Sequence, residues 1–245
     1  MNVRVRFEDK GHRFVLVDGD AEDQQIELEL QNTDQYKEAN GDPTAGYNDI
    51  IEEYAAKGLR HGEITEQQAR YITNKQVGQS IQGAESIHPA NPKPQYKTHK
   101  RDEAGNMKDP VPIRSITVGC GTPVHSLSKL CSKAIEHLAP AHLPRMNQST
   151  KAVLRRLIFI DENHTPLPPQ AVFAFSDIKA MYPNVDIEEG SEEIKTELEK
   201  DPSPLGISTD YIVEGLRLCI ECNCVQFRGR FYIPCQGCAQ GTCHV

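Results

Sequence analysis

Two sets of residues in this 245-residue sequence could do chemistry. The first is Asp177, which closes an apolar run at residues 171–175 and is followed five positions later by Tyr182. A buried strand fixes such a carboxylate at a sheet edge, and the acid is a hard oxygen ligand suited to Mg²⁺. Tyr182 is spaced to turn back over whatever the metal holds. The same pattern also serves as an ordinary turn or cap, since Asp closes many elements that way. The second set is thiols, with six of the eight cysteines between Cys219 and Cys243. Cys219-x2-Cys222 and Cys235-x2-Cys238 stand 12 residues apart, close to four-thiolate zinc spacing, with Cys224, Cys243 and His244 as substitute ligands. The alternative is that these thiols are buried or incidental, because Cys packs as a small apolar residue.

Bulk properties narrow the classes. The mean hydropathy of -0.56 and 38% hydrophobic residues fit a globular protein with generous polar loops. No apolar run reaches the length of a membrane span, and no secretory leader pattern opens the sequence. An intracellular protein, nuclear or cytoplasmic and not secreted, is therefore expected, with no membrane partner. The strand-like start at Met1 points to a natural N-terminus lying further upstream. A net charge of -8 excludes a simple cationic coat for nucleic acid. The charge is uneven, however. Residues 1–53 hold 14 acids against five Lys or Arg, whereas residues 93–101 hold four Lys or Arg, His99 and no acid. Arg145, Lys151, Arg155 and Arg156 form a second basic stretch, and local stretches of this kind can hold a phosphate backbone.

The elements that must position these residues follow from periodicity. Val3, Val5 and Phe7 alternate with Arg4 and Arg6 as a half-buried strand does, and Asp9-Lys10-Gly11 turns the chain into a second strand over 13–17. A helix is expected over 48–57, capped by Asn48 and ended by Gly58, and a short one after Thr65. Residues 83–112, rich in Pro, Gly and Lys, read as a long loop, followed by a strand over 114–118. Thr122-Pro123 reads as a helix start, with Leu127, Leu130, Cys131, Ala134, Ile135 and Leu138 on one apolar stripe. Residues 186–201, with eight acids and two lysines, form an exposed loop and helix. A helix over 211–219 and a hairpin about Gly229 complete the pattern, and the class is α+β.

The segment 173–185 resembles the first catalytic motif of reverse transcriptases, an Asp followed after four residues by Phe or Tyr. Its continuation, Tyr182-Pro-Asn-Val-Asp-Ile-Glu-Glu-Gly190, resembles the version in Penelope-like retroelements. Other segments are similar to that family in the same order. They are Phe7-Glu-Asp-Lys-Gly11 with Phe14-Val-Leu-Val-Asp18, then Pro94-Gln-Tyr-Lys-Thr-His-Lys100, then Pro112-Ile-Arg114 with Gly121-Thr-Pro123. Phe227-Arg-Gly-Arg-Phe-Tyr232 and Gly237-Cys-Ala-Gln-Gly241-Thr242 resemble the hairpin and glycine-rich loop of the next palm motif. Pro234, Gln240 and Cys243 depart from the family, which usually has Gln, Met and Pro there.

The resemblance implies a right-hand polymerase with an incomplete palm sheet, in which residues 1–160 are fingers-like and 161–245 a partial palm. Asp177 would bind the catalytic Mg²⁺, helped by the carbonyl of Ile178, and Tyr182 would be a steric gate against a 2′-hydroxyl. Lys10, Arg114 and Arg13 would cradle the triphosphate, while Gly237, Gln240 and Gly241 would lie against the templating base pair. The implied partners are an RNA template, a DNA primer and a deoxynucleoside triphosphate. The family's adjacent aspartate pair does not occur in the sequence, so a fragment without catalysis of its own is expected. Two other readings stay open, a zinc-binding module at Cys219, Cys222, Cys235 and Cys238, and a non-catalytic remnant that binds nucleic acid or protein.

Overall fold

The computed structural model describes residues 2–11, 13–73, 87–139, 150–162, 170, 172 and 181–238. Strand β1 (Val3–Phe7) and β2 (Phe14–Asp18) pair antiparallel, with Arg4 opposite Val17 and Phe7 opposite Phe14. The expected hairpin is present, but its inward face is the opposite of the expected one. Val3, Val5, Phe7, Phe14 and Leu16 are exposed, while Arg4 and Arg6 are half-buried. The cause is helix α1 (Gly19–Leu30), which carries the nearly buried acids Glu22 and Asp23 under the hairpin. The Arg4 guanidinium reaches Glu22 at 2.8 Å and also pairs with Asp23, and Arg6 donates to Glu22 at 2.7 Å. Buried carboxylates require cations, so the basic face turns inward.

Strand β3 (Tyr36–Ala39) pairs with the last strand of the described chain. Helix α2 (Thr44–His61) begins four residues before the expected cap, so Asn48 lies within it. It ends at Gly62, whose φ of 72° is left-handed, rather than at Gly58. Helix α3 (Glu66–Ile72) starts as expected at Thr65, whose hydroxyl accepts from the Gln68 N–H while Gln68 Oε1 accepts from the Thr65 N–H. Thr65→Ala removes half of this reciprocal cap and should cost about 1 kcal/mol in urea unfolding. An unchanged midpoint would mean that water replaces the bond without loss.

The expected loop over 83–112 contains a strand instead, β4 (Asn91–Tyr96), antiparallel to β5 (Ile113–Val118). Pro92 and Pro94 obscured it in the sequence. They occupy alternate positions, so both missing N–H groups lie on one edge and the pairing survives. Helix α4 (His125–Ile135) carries the expected stripe through Leu127, Cys131 and Ala134, and Leu138, buried too, lies three residues past its end. It begins at His125, and the Thr122 hydroxyl donates to the Gly119 carbonyl at 2.8 Å instead of capping the helix. Helices α5 (Thr150–Glu162), α6 (Ile187–Lys200) and α7 (Thr209–Glu221) follow, α6 capped by Asp186, which accepts from the Glu189 N–H at 2.9 Å. Strands β6 (Val225–Phe227) and β7 (Arg230–Pro234) form the hairpin expected about Gly229, and β7 also pairs with β3.

The class is α+β, with three small antiparallel sheets among the described residues. Apolar burial gathers in two clusters. The larger joins α2, α3, α4, α6 and α7 through Ile51, Tyr54, Ile72, Leu127, Leu198 and Tyr211. The smaller sets Ile26 and Leu30 of α1 against Val225 and Tyr232 of the C-terminal hairpin. Both clusters draw on residues from either side of position 160. Among the described residues no helix is long and apolar enough to cross a membrane.

Candidate functional site

The turn of the first hairpin is held by its own geometry. Gly11 has φ 134°, a conformation that side chains disfavour, and a Cβ there would lie 2.1 Å from Glu8 Oε1. Glu8 therefore fits beneath the turn, where Arg13 Nε donates to it at 3.0 Å and Thr98 Oγ1 at 2.9 Å. These two donors outweigh burial and hold the Glu8 carboxyl below the usual range. The backbone N–H of Asp9 donates to the Tyr96 carbonyl at 2.8 Å, latching the turn to the end of β4. The Asp9 carboxylate is almost wholly buried and lies 3.0 Å from Nη1 of Arg114 on β5.

Arg114 in turn faces a cavity of about 430 Å³, bordered also by Glu29, Lys97, Tyr182, Gln236 and Cys238. Tyr182 opens a short 3-10 turn, Tyr182–Asn184, and is followed by Pro183. Its carbonyl accepts from the Cys238 N–H at 2.8 Å. Gly237, at φ 68°, lies so close that a Cβ would stand 2.3 Å from that same oxygen. Glycine is required here by close approach as well as by conformation. On its other side, Tyr182 borders an apolar groove of about 290 Å³ that includes Ile135, Val185, Ile194, Leu216 and Ile220. Met181, Tyr182 and Cys238 border both the polar cavity and the apolar groove.

The expected site residues separate accordingly. Arg114, Tyr182 and the segment around Gly237 converge on one cavity. Lys10 is exposed in the hairpin turn and is not on the cavity wall, and Arg13 is largely exposed and spent on Glu8. Asp177, Ile178, Gln240 and Gly241 lie outside the described residues, as do Cys243 and His244. Residue type alone does not mark Lys97, Gln236, Glu8 or Asp9 as site residues. Their signal was position, since Glu8 and Asp9 are part of the turn motif and Lys97 part of the basic stretch.

The thiols tell a different story. Cys219, Cys222 and Cys224 are buried, Cys238 is half-buried and Cys235 is exposed. Burial pushes the Cys222 and Cys224 thiols up to about 11, which favours the neutral form over the thiolate that zinc takes. Among the described residues no group of three or more His, Cys, Asp or Glu side chains converges to hold a metal ion. No protein-family model, curated protein or solved structure matches this chain.

Proposed function

We propose that this chain forms the fingers and first part of the palm of a Penelope-like reverse transcriptase, an RNA-directed DNA polymerase, and that its cavity takes a deoxynucleoside triphosphate. The observation that carries the reading is the convergence of Arg114, Tyr182 and the Gly237 turn, from three separated segments that each resemble a different motif of that family. A guanidinium beside a cavity suits a triphosphate, because negative charge grows on the leaving group during transfer. Lys97 adds a second cation at the same wall. The backbone of Tyr182 is tied at its carbonyl by the Cys238 N–H and the close Gly237, which fixes the point from which a steric gate under the sugar would project. Asp177 is the carboxylate that would hold Mg²⁺, which when bound supplies charge neutralisation at the phosphates.

The test is binding of dATP and ATP, with Mg²⁺, to the chain carrying an RNA template and DNA primer whose next templating base is uracil. The wild type should prefer dATP by roughly ten- to a hundredfold, the range that one shape-discriminated group supplies in a pocket. Tyr182→Ala should bring the two affinities to within about threefold of each other, mainly by admitting ATP. Absence of dATP binding would refute the polymerase reading, and unchanged discrimination would leave Tyr182 with packing alone.

A further inference from the structure

Asp9 and Arg114 form an ion pair of an unusual kind. The carboxylate is 1% exposed and Arg114 Nη1 stands 3.0 Å from Asp9 Oδ1. Yet neither Asp9 oxygen accepts a hydrogen bond among the described residues. At that distance a hydrogen bond fails only through direction, so the N–H groups of Nη1 do not point at Oδ1. The pair is a contact of charge that, among the described residues, leaves the donors of Arg114 off the Asp9 carboxylate. A buried acid without a hydrogen bond is costly, and here the chain does not spend its nearest donors on it. Arg114 is 39% exposed and borders the cavity. The contrast with the preceding residue is direct, because Glu8 accepts both from Arg13 and from Thr98.

We infer that Asp9 is a positioning residue, holding the Arg114 guanidinium by charge at the cavity wall so that its N–H donors remain for the phosphate oxygens of the incoming nucleotide. This rests on the nucleotide-binding reading of the cavity. Asp9 is itself anchored by the turn, through its N–H to the Tyr96 carbonyl at 2.8 Å, so the anchor and the cation belong to different strands. A phosphate arriving at Arg114 meets a guanidinium already drawn to the cavity wall, with its planar fork left to pair in the bidentate geometry.

Asp9→Asn separates this role from simple electrostatics because the two predict opposite signs. Removing a negative charge near an anion site should tighten binding if charge alone matters. Loss of positioning should weaken it. Calorimetric titration with inorganic tripolyphosphate and with dATP, both with Mg²⁺, should show about tenfold weaker binding by Asp9→Asn, with little further loss in the Arg114→Ala background. Equal or tighter binding by Asp9→Asn, or an equal loss in the Arg114→Ala background, overturns the role of Asp9 alone. A wild-type chain that binds neither probe overturns the cavity reading and the role of Asp9 together. A readout independent of how the variant folds is the Arg114 side-chain nitrogen resonances of the wild type, assigned by Arg114→Lys. They should shift on addition of tripolyphosphate, and their failure to move while the probe binds overturns the inference.

Discussion

Replacing Gly58 with leucine should lower the stability of the protein by about 3 kcal/mol or more, among the largest losses expected from a single substitution. Gly58 lies within α2, where alanine would ordinarily be better than glycine by about 1 kcal/mol. Here the sign reverses, because a Cβ at Gly58 would stand 2.2 Å from Tyr211 Oη and 2.5 Å from its Cζ. Tyr211 cannot yield. Its ring stacks on Tyr54 with centroids 4.2 Å apart, and its hydroxyl donates to the Tyr54 carbonyl at 3.2 Å. Tyr54 answers with a 2.7 Å bond to the Tyr211 carbonyl, and Gly215 makes room for the Tyr54 hydroxyl, 2.5 Å from where its own Cβ would be. Two helices thus lock through a reciprocal pair of tyrosines, each seated over the other helix's glycine. Urea unfolding of Gly58→Ala and Gly58→Leu measures the loss. In the Gly58→Ala protein, Tyr211→Phe removes the nearest clashing atom and should recover part of it. A neutral Gly58→Leu would mean that the helices slide apart without cost, contrary to the close packing of such cores.

That lock also shows what the sequence could and could not convey. The apolar stripe of α4 was legible because Leu127, Cys131 and Ala134 repeat at helical spacing, and burial follows spacing. Gly58 reads as a helix end because glycine usually marks one, and its actual reason, a tyrosine from 153 positions away in sequence, is tertiary. The first hairpin was legible as strands, since a period of two needs only local backbone. Which face turned inward was not, because the deciding acids belong to a helix that the sequence hid. α1 buries only Ile26 and Leu30 among its larger apolar residues, at a spacing of four, within a run of polar side chains. Its N-cap, Asp18, with Asp20 and Glu22 in the first turn, was the available signal.

The candidate site divides in the same way. Arg114 and Tyr182 were recognisable from motif resemblance, which reports a residue's type and order along the chain. Asp9 was not, because its distinction lies in the hydrogen bond it lacks. A buried acid that keeps a cation's charge but not its donors can be seen only when direction as well as distance is known. The exposed turn carries Lys10 away from the cavity wall, while the two acids on either side of the turn's start bring Arg13 and Arg114 to ground. In this hairpin the acids, rather than the cations, record how the site is assembled.

Glu22→Gln should cost about 2–3 kcal/mol and should also flatten the protein's response to acid. The Glu22 side chain is fully buried and joins three elements, accepting from Arg4 and Arg6 on β1 and from the Tyr96 hydroxyl at 3.2 Å on β4. The two arginines retain some solvent access, so they can partly recover water when the acid is removed, which keeps the loss below that of a sealed pair. Burial by itself pushes the Glu22 carboxyl up, and the hydrogen bonds from Arg6 and Arg4 overcome it to leave the group below its ordinary value of 4.5. The hydrogen bond from Arg4 likewise lowers Asp23 from 3.8. A carboxyl depressed in the folded state contributes stability that is complete above its unfolded value and is lost as pH falls through its folded one. Wild-type stability should therefore hold from neutral pH to about 5 and decline from roughly pH 4.5 downward. Gln at position 22 has no proton to take up, so its urea midpoint should start lower at pH 7 and fall less steeply between pH 4.5 and 3. Parallel curves for the two proteins would show that Glu22 does not drive the acid response, and the inward-facing arginines of β1 would then need another source of order.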